Sequence, residues 1–103
     1  MKIYKCFPKG KFKVLTMSYD DGNKADVRLV SIFNKYGIRG SFNLNYGLME
    51  QDDKVDIQQV KELYEGHEVS THTYTHPTIA RCPGVMIAQE IMEDRKGWEQ
   101  LLG

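Results

Sequence analysis

Two short stretches concentrate side chains that could do chemistry together: Asp20-Asp21-Gly22 and His72-Thr73-Tyr74-Thr75-His76. An Asp-Asp-Gly run by itself is ordinary turn material, and two histidines four apart are common in polar loops. Together they define a candidate site. A four-residue spacing puts both imidazoles on one side of a helical turn or tight loop, and imidazole nitrogen is a ligand for zinc and other late first-row metals. Two imidazoles and one carboxylate make an open-sided set with room for water and substrate, the hallmark of a catalytic rather than a structural metal site. The other carboxylate keeps its basicity and is free to take a proton. The reaction class this favours is hydrolysis of an amide or ester, with the developing oxyanion stabilised electrostatically. His67 falls at the opposite end of its element and is placed outside the site.

The elements that must position these residues read as an alternation. A first strand is expected over about 12–19, rich in apolar and β-branched residues, with Gly22 letting the chain bend so that both aspartates reach one mouth. Asn23 or Asp26 is the expected N-cap of a helix whose inner face carries Leu29, Ile32, Phe33 and Tyr36, and which Gly37 stops. A second strand follows over 38–44, with Ile38, Gly40, Phe42 and Leu44 on one face. Residues 46–53 form a loop able to line or cover a site. A second helix is expected over 55–65, a third strand over 68–71, a loop over 72–84, and a last helix over 85–102 with Ile87, Ile91, Trp98 and Leu101 inward. Strand-helix alternation with short connections implies a parallel α/β fold, a βαβαβα unit with right-handed crossovers. In such folds sites form at the carboxyl ends of the strands. Asp20-Asp21, Asn43-Leu44-Asn45 and His72 all fall on that rim.

The bulk composition narrows the partners. The chain has 103 residues, room for one small domain, and equal numbers of basic and acidic residues, 14 each. That balance predicts neither a nucleic-acid nor a membrane partner. Cys6 and Cys82 are too few and too far apart for a disulfide framework, and are expected as reduced thiols packed as small hydrophobes. The N-terminus has no apolar core of the signal-peptide kind, so a cytoplasmic location is expected, with export possible only if a segment precedes Met1. Residues 1–11 read as a lead-in and 12–103 as the domain. Three parallel strands leave open sheet edges, through which self-association is expected.

Ser18-Tyr19-Asp20-Asp21-Gly22 resembles the T/S-F/Y-D-D-G motif of the polysaccharide deacetylases, the NodB-homology family, and His72-Thr73-Tyr74-Thr75-His76 resembles its H-[ST]-x-x-H motif. Gly66 to Thr71 ahead of that motif, Pro77 after it, and Gly40 to Asn45 at the second strand fit as well, so the resemblance covers about 12–103. It implies an N-terminal portion of a partial (β/α) barrel, with Asp20 as catalytic base and Asp21, His72 and His76 as ligands of a divalent metal. Zinc is the first choice, with cobalt, nickel or iron as alternatives. The implied activity is removal of N- or O-linked acetyl groups from a carbohydrate. The family's later motifs, which supply groove residues, an oxyanion-binding amide and a histidine acid, have no counterpart in these residues; Arg81-Cys82-Pro83 is read as loop. Two other readings stand beside this one: a non-catalytic metal- or carbohydrate-binding remnant, and a hydrolase of small non-sugar amides.

Overall fold

The computed structural model describes residues 1–103 as a three-stranded parallel sheet in the order β1-β2-β3, with helices between the strands. Strand β1 is Ser18–Asp20, β2 is Ser41–Leu44 and β3 is Glu68–Thr71; the helices are α1, Asp26–Tyr36, α2, Val60–Leu63, and α3, Gly84–Leu102. The α/β class and the parallel alternation are as the sequence implies. Adjacent strands run in register, Ser18 opposite Ser41 and Ser41 opposite Glu68. All three strands therefore end at the same rim.

Central strand β2 is the core of the unit. Phe42 and Leu44 are fully buried and are packed with Val30, Phe33, Met49, Val55, Val60, Tyr64 and Trp98. Phe42 lies 4.6 Å, centroid to centroid, from the Tyr64 ring and 5.9 Å from Tyr19, so aromatic contacts tie α2 and β1 to the middle strand.

Several sequence expectations are corrected. The first strand is three residues, not eight. Its pairing is set by β2, which begins only at Ser41, and residues 12–16 run on beyond any partner strand. Val14 and Leu15 are consequently exposed. The second strand is likewise shorter, and Ile38 is exposed. In α1 the buried stripe is Asp26, Val30 and Phe33, while Ile32 and Tyr36 face outward. Asp26 is not a cap: its carboxylate turns inward and accepts a hydrogen bond from the Tyr64 hydroxyl at 2.7 Å, and burial pushes its pKa up. Nor is Asn23 the N-cap, which falls on Ala25 without a side-chain cap; the Asn23 side chain closes the turn ahead of the helix, accepting from the Ala25 N–H at 3.0 Å. Gly37 ends the helix in the left-handed region, φ 66°. The second helix splits into a 3-10 turn, Ile57–Gln59, capped by the Asp56 side chain, and the single turn of α2. Cys6 is exposed rather than packed, because the whole lead-in lies off the core; both cysteines are free thiols. No helix is long and apolar enough to cross a membrane.

Candidate metal centre

Both chemical motifs begin where the ladder ends, and β2 holds each of them. The Asn43 carbonyl accepts from Asp21 N–H at 2.9 Å on one side, and the Leu44 carbonyl accepts from His72 N–H at 3.1 Å on the other. The middle strand thus fixes the start of the aspartate turn and the start of the histidine loop with consecutive carbonyls.

Beyond those points the backbone is unusual. Asp21, Thr73 and His76 have φ of 73°, 70° and 54°, in the left-handed region that L-residues avoid. Gly22 follows Asp21 at φ 64°, and a Cβ there would lie 3.0 Å from Leu44 Cδ2. Only glycine passes through that gap without strain, and the turn it permits swings Asp21 over the strand ends. The 46–53 loop does not cover the site. It braces the aspartate turn from behind: Met49 is buried against Gly22, Lys24 N–H donates to Asp53 O, and Val55 N–H donates to Gly22 O.

The result brings Asp20, Asp21, His72 and His76 to one mouth. Asp21 Oδ1 lies 3.7 Å from His72 Nε2 and 3.5 Å from His76 Nε2. The two imidazole centroids are 5.0 Å apart, and one donor atom from each of the three residues falls within 4.8 Å of the others. Asp20 Oδ2 is 4.0 Å from His72 Nε2, and Asp20 Oδ1 accepts from Asn43 Nδ2 at 2.7 Å. His67 stays outside, at the start of β3, where its Nδ1 accepts from Gly40 N–H.

Whether these residues suit a metal can be asked of the atoms. Asp21 Oδ1 is buried and has no hydrogen-bond partner, an arrangement that costs more for a charged oxygen than for a neutral one. A cation is the partner that would satisfy it. Ligands of a tetrahedral ion at about 2.0–2.2 Å sit roughly 3.3–3.6 Å from one another, close to the oxygen-to-nitrogen separations seen here. One carboxylate oxygen and two imidazole nitrogens are a donor set for zinc and its neighbours. The residues fit.

Three polar residues surround this mouth; the sequence pattern placed Asn45 on the rim but did not single out Glu90 or Asp94. Asp94 and Glu90, on α3, are buried. Asp94 Oδ1 accepts from Tyr46 N–H at 2.6 Å and Oδ2 from His72 N–H at 2.9 Å; burial pushes its pKa up, against the pull of those two donors. Glu90 accepts from both the N–H and the hydroxyl of Thr75, each at 2.7 Å, and its carbonyl accepts from Tyr74 N–H. Asn45, fully buried after β2, donates its amide to the carbonyls of His72 and Thr73. A signal for the two acids was present: Glu90, Asp94 and Trp98 recur at four-residue steps, so the acids share a helix face with an inward tryptophan.

The fold has solved counterparts. A deacetylase PplD from Streptococcus pyogenes, in complex with acetate, superposes with a TM-score of 0.83 at 21% identity, over 92% of this chain and 43% of that one. The Bc1960 peptidoglycan N-acetylglucosamine deacetylase gives 0.74 at 20% identity, over 85% and 41%. Peptidoglycan deacetylase PdaC from Bacillus subtilis gives 0.66 at 24% identity, over 86% and 44%. At these identities the likeness is one of fold, and the chain spans less than half of each of these structures. It is a partial piece of the (β/α) barrel they carry. No curated protein sequence matches the chain. The sequence model of the polysaccharide deacetylase family, however, matches residues 8–103, and the chain belongs to that family.

Proposed function

We propose that this chain is the ion-holding and base-carrying part of a metal-dependent hydrolase that removes N- or O-linked acetyl groups from a carbohydrate. The observation that carries the reading is the buried, unpartnered Asp21 Oδ1 facing His72 Nε2 and His76 Nε2 at 3.7 and 3.5 Å. Asp21, His72 and His76 would hold a divalent ion, zinc foremost, which when bound supplies Lewis-acid polarisation of the scissile carbonyl. Asp20 is the base. Its side chain is exposed, with Oδ2 4.0 Å from His72 Nε2, and its Oδ1 is held by the Asn43 amide. That bond fixes the carboxylate's orientation while leaving Oδ2 free to take a proton from the attacking water. Membership of the family and the acetate-bound structural neighbour support an acetyl substrate.

Calorimetric zinc titration and acetate release from an acetylated chito-oligosaccharide, on the intact polypeptide, separate the two roles. Asp21→Asn and His76→Ala should weaken zinc binding by at least ten- to a hundredfold, the range known for residues one layer further out. Asp20→Asn should leave zinc affinity largely intact and lower acetate release by roughly a hundredfold or more. Loss of zinc binding in Asp20→Asn but not in Asp21→Asn would reverse the assignment. Zinc binding by the parent without any acetate release would favour a non-catalytic ion-binding role.

A further inference from the structure

The histidine loop is held in its ligating shape by groups that never reach the ion. It pairs left-handed backbone at Thr73 and at His76, conformations that L-residues keep only where the surroundings enforce them. A β-branched threonine at φ 70° is the less tolerated of the two. Such a loop relaxes unless something fixes it, and relaxation would part the two imidazoles.

Three buried polar side chains do the fixing, each by gripping loop backbone. Asp94 accepts from His72 N–H, Asn45 donates to the carbonyls of His72 and Thr73, and Glu90 accepts from Thr75 N–H and Thr75 Oγ1. Every peptide from His72 to Thr75 is engaged, since Tyr74 N–H donates to the Glu90 carbonyl. Asp94 also accepts from Tyr46 N–H and so ties the loop to the residue after β2. Burying two carboxylates on a helix face is costly unless each has partners. Here the partners are the loop amides.

We propose that Glu90, Asp94 and Asn45 are positioning residues for the metal centre, a polar clamp that pre-forms the His72–His76 pair before an ion arrives. The clamp rests on the reading of Asp21, His72 and His76 as ligands. It gives the middle of α3 a functional role, with an inward face built to hold the loop rather than to fill a core. Without the clamp, binding an ion would have to order the loop as well, and affinity would fall by that ordering cost.

The test uses Co²⁺ as probe, read both by its absorption spectrum and by titration, alongside thermal melts of the metal-free proteins. Glu90→Ala is the chief variant, because alanine suits a helix interior and the folded state should survive. Expected is a ten- to a hundredfold loss of Co²⁺ affinity with a weaker, altered visible band. Glu90→Gln keeps an acceptor for Thr75 N–H and an amide that can donate to Thr75 Oγ1, and should restore affinity to within about threefold. Asp94→Asn should bind poorly, because two N–H donors then face a single acceptor oxygen. A folded Glu90→Ala protein with parental affinity and spectrum would overturn the clamp while leaving the ligand assignment standing. Failure of the parent itself to bind Co²⁺ or zinc would remove the ligand assignment and the clamp with it. If Glu90→Ala lost its fold, Thr75→Val, which removes only the hydroxyl contact, should still weaken Co²⁺ by a few-fold; parental affinity there would count against the proposal.

Discussion

The His67 imidazole bridges Asn34 on α1 and Gly40 just ahead of β2. Its position ahead of β3 kept it from the candidate site, and the structure gives it a different role. Nδ1 accepts from Gly40 N–H at 3.1 Å, and Nε2 lies 3.0 Å from Asn34 Oδ1, so the ring is neutral with its proton on Nε2. Burial first, and then the Arg39 charge, hold its pKa below the ordinary 6.5. As pH falls, the unfolded chain therefore takes up this proton before the folded one does. The stabilisation is fully present above about 6.5 and is lost as pH falls through the lower folded value. Urea midpoints should drop between about pH 7.5 and about pH 5.5, and drop less in His67→Gln, whose amide can keep both hydrogen bonds without titrating. Equal drops in the two proteins would show that other groups carry the acid sensitivity. At the candidate site the residue types were readable, since carboxylates and imidazoles announce themselves. The left-handed φ of Asp21, Thr73 and His76 was not, because aspartate and histidine favour it only weakly and a β-branched threonine disfavours it.

At the scale of elements, α3 departs most from its periodicity. The apolar pattern pointed Ile87, Ile91, Trp98 and Leu101 inward, yet Ile91 is exposed and Glu90, Asp94 and Gly97 are buried beside Trp98. The departure lies at Ile91 and in the middle of the helix, where Glu90 and Asp94 pack on loop amides, which want acceptors; Trp98 is buried and Leu101 packs on the core as the pattern implied. Patterns of hydrophobicity cannot register a face buried against backbone N–H groups. Gly97 marks the changeover: a Cβ there would fall 2.4 Å from Tyr46 Cγ, and the Tyr46 ring stands edge-on to Trp98 with centroids 5.1 Å apart. Gly97→Ala gains about 1 kcal/mol of helix propensity, but overpacking against a ring typically costs about 1–3 kcal/mol or more. A net loss of stability is expected in urea denaturation, with the Trp98 fluorescence of the folded state altered. A stabilised variant would mean that the helix can retreat from Tyr46 at little cost. The end of α1, by contrast, was readable, because Gly37 acts within the local backbone.

The molecule as a whole is more extended than its length requires. Its radius of gyration is 16.6 Å, against about 13 Å for a compact domain of this size. Only 17 of 103 residues are buried, which leaves little apolar burial to offset chain entropy. Phe12 and Leu15 stand exposed ahead of β1 and Val85 and Met92 on α3, while β1 and β3 each have only one neighbouring strand. The parallel order of the strands could be read from the alternation of elements. How short β1 would be could not, since pairing depends on where a distant strand begins. Unpaired edges beside exposed apolar groups favour association. Sedimentation velocity on this chain should show a weight-average mass that rises with concentration; a monodisperse 11.9 kDa species throughout would contradict this.

Thr75 and Glu90, bonded at both oxygens, close a ring through the segment 76–89. Within it, the stretch from Pro77 to Pro83 leaves the site and returns to α3 without carrying any of the contacts that fix the histidines. Its length is thus free to vary, and a graft there would be paid for only in chain closure, about 0.6 kcal/mol for each doubling. It borders the open mouth at Pro77 and Ile79. A loop so placed can be rewritten without disturbing the groups that hold the two histidines, an anchored frame carrying an interchangeable rim.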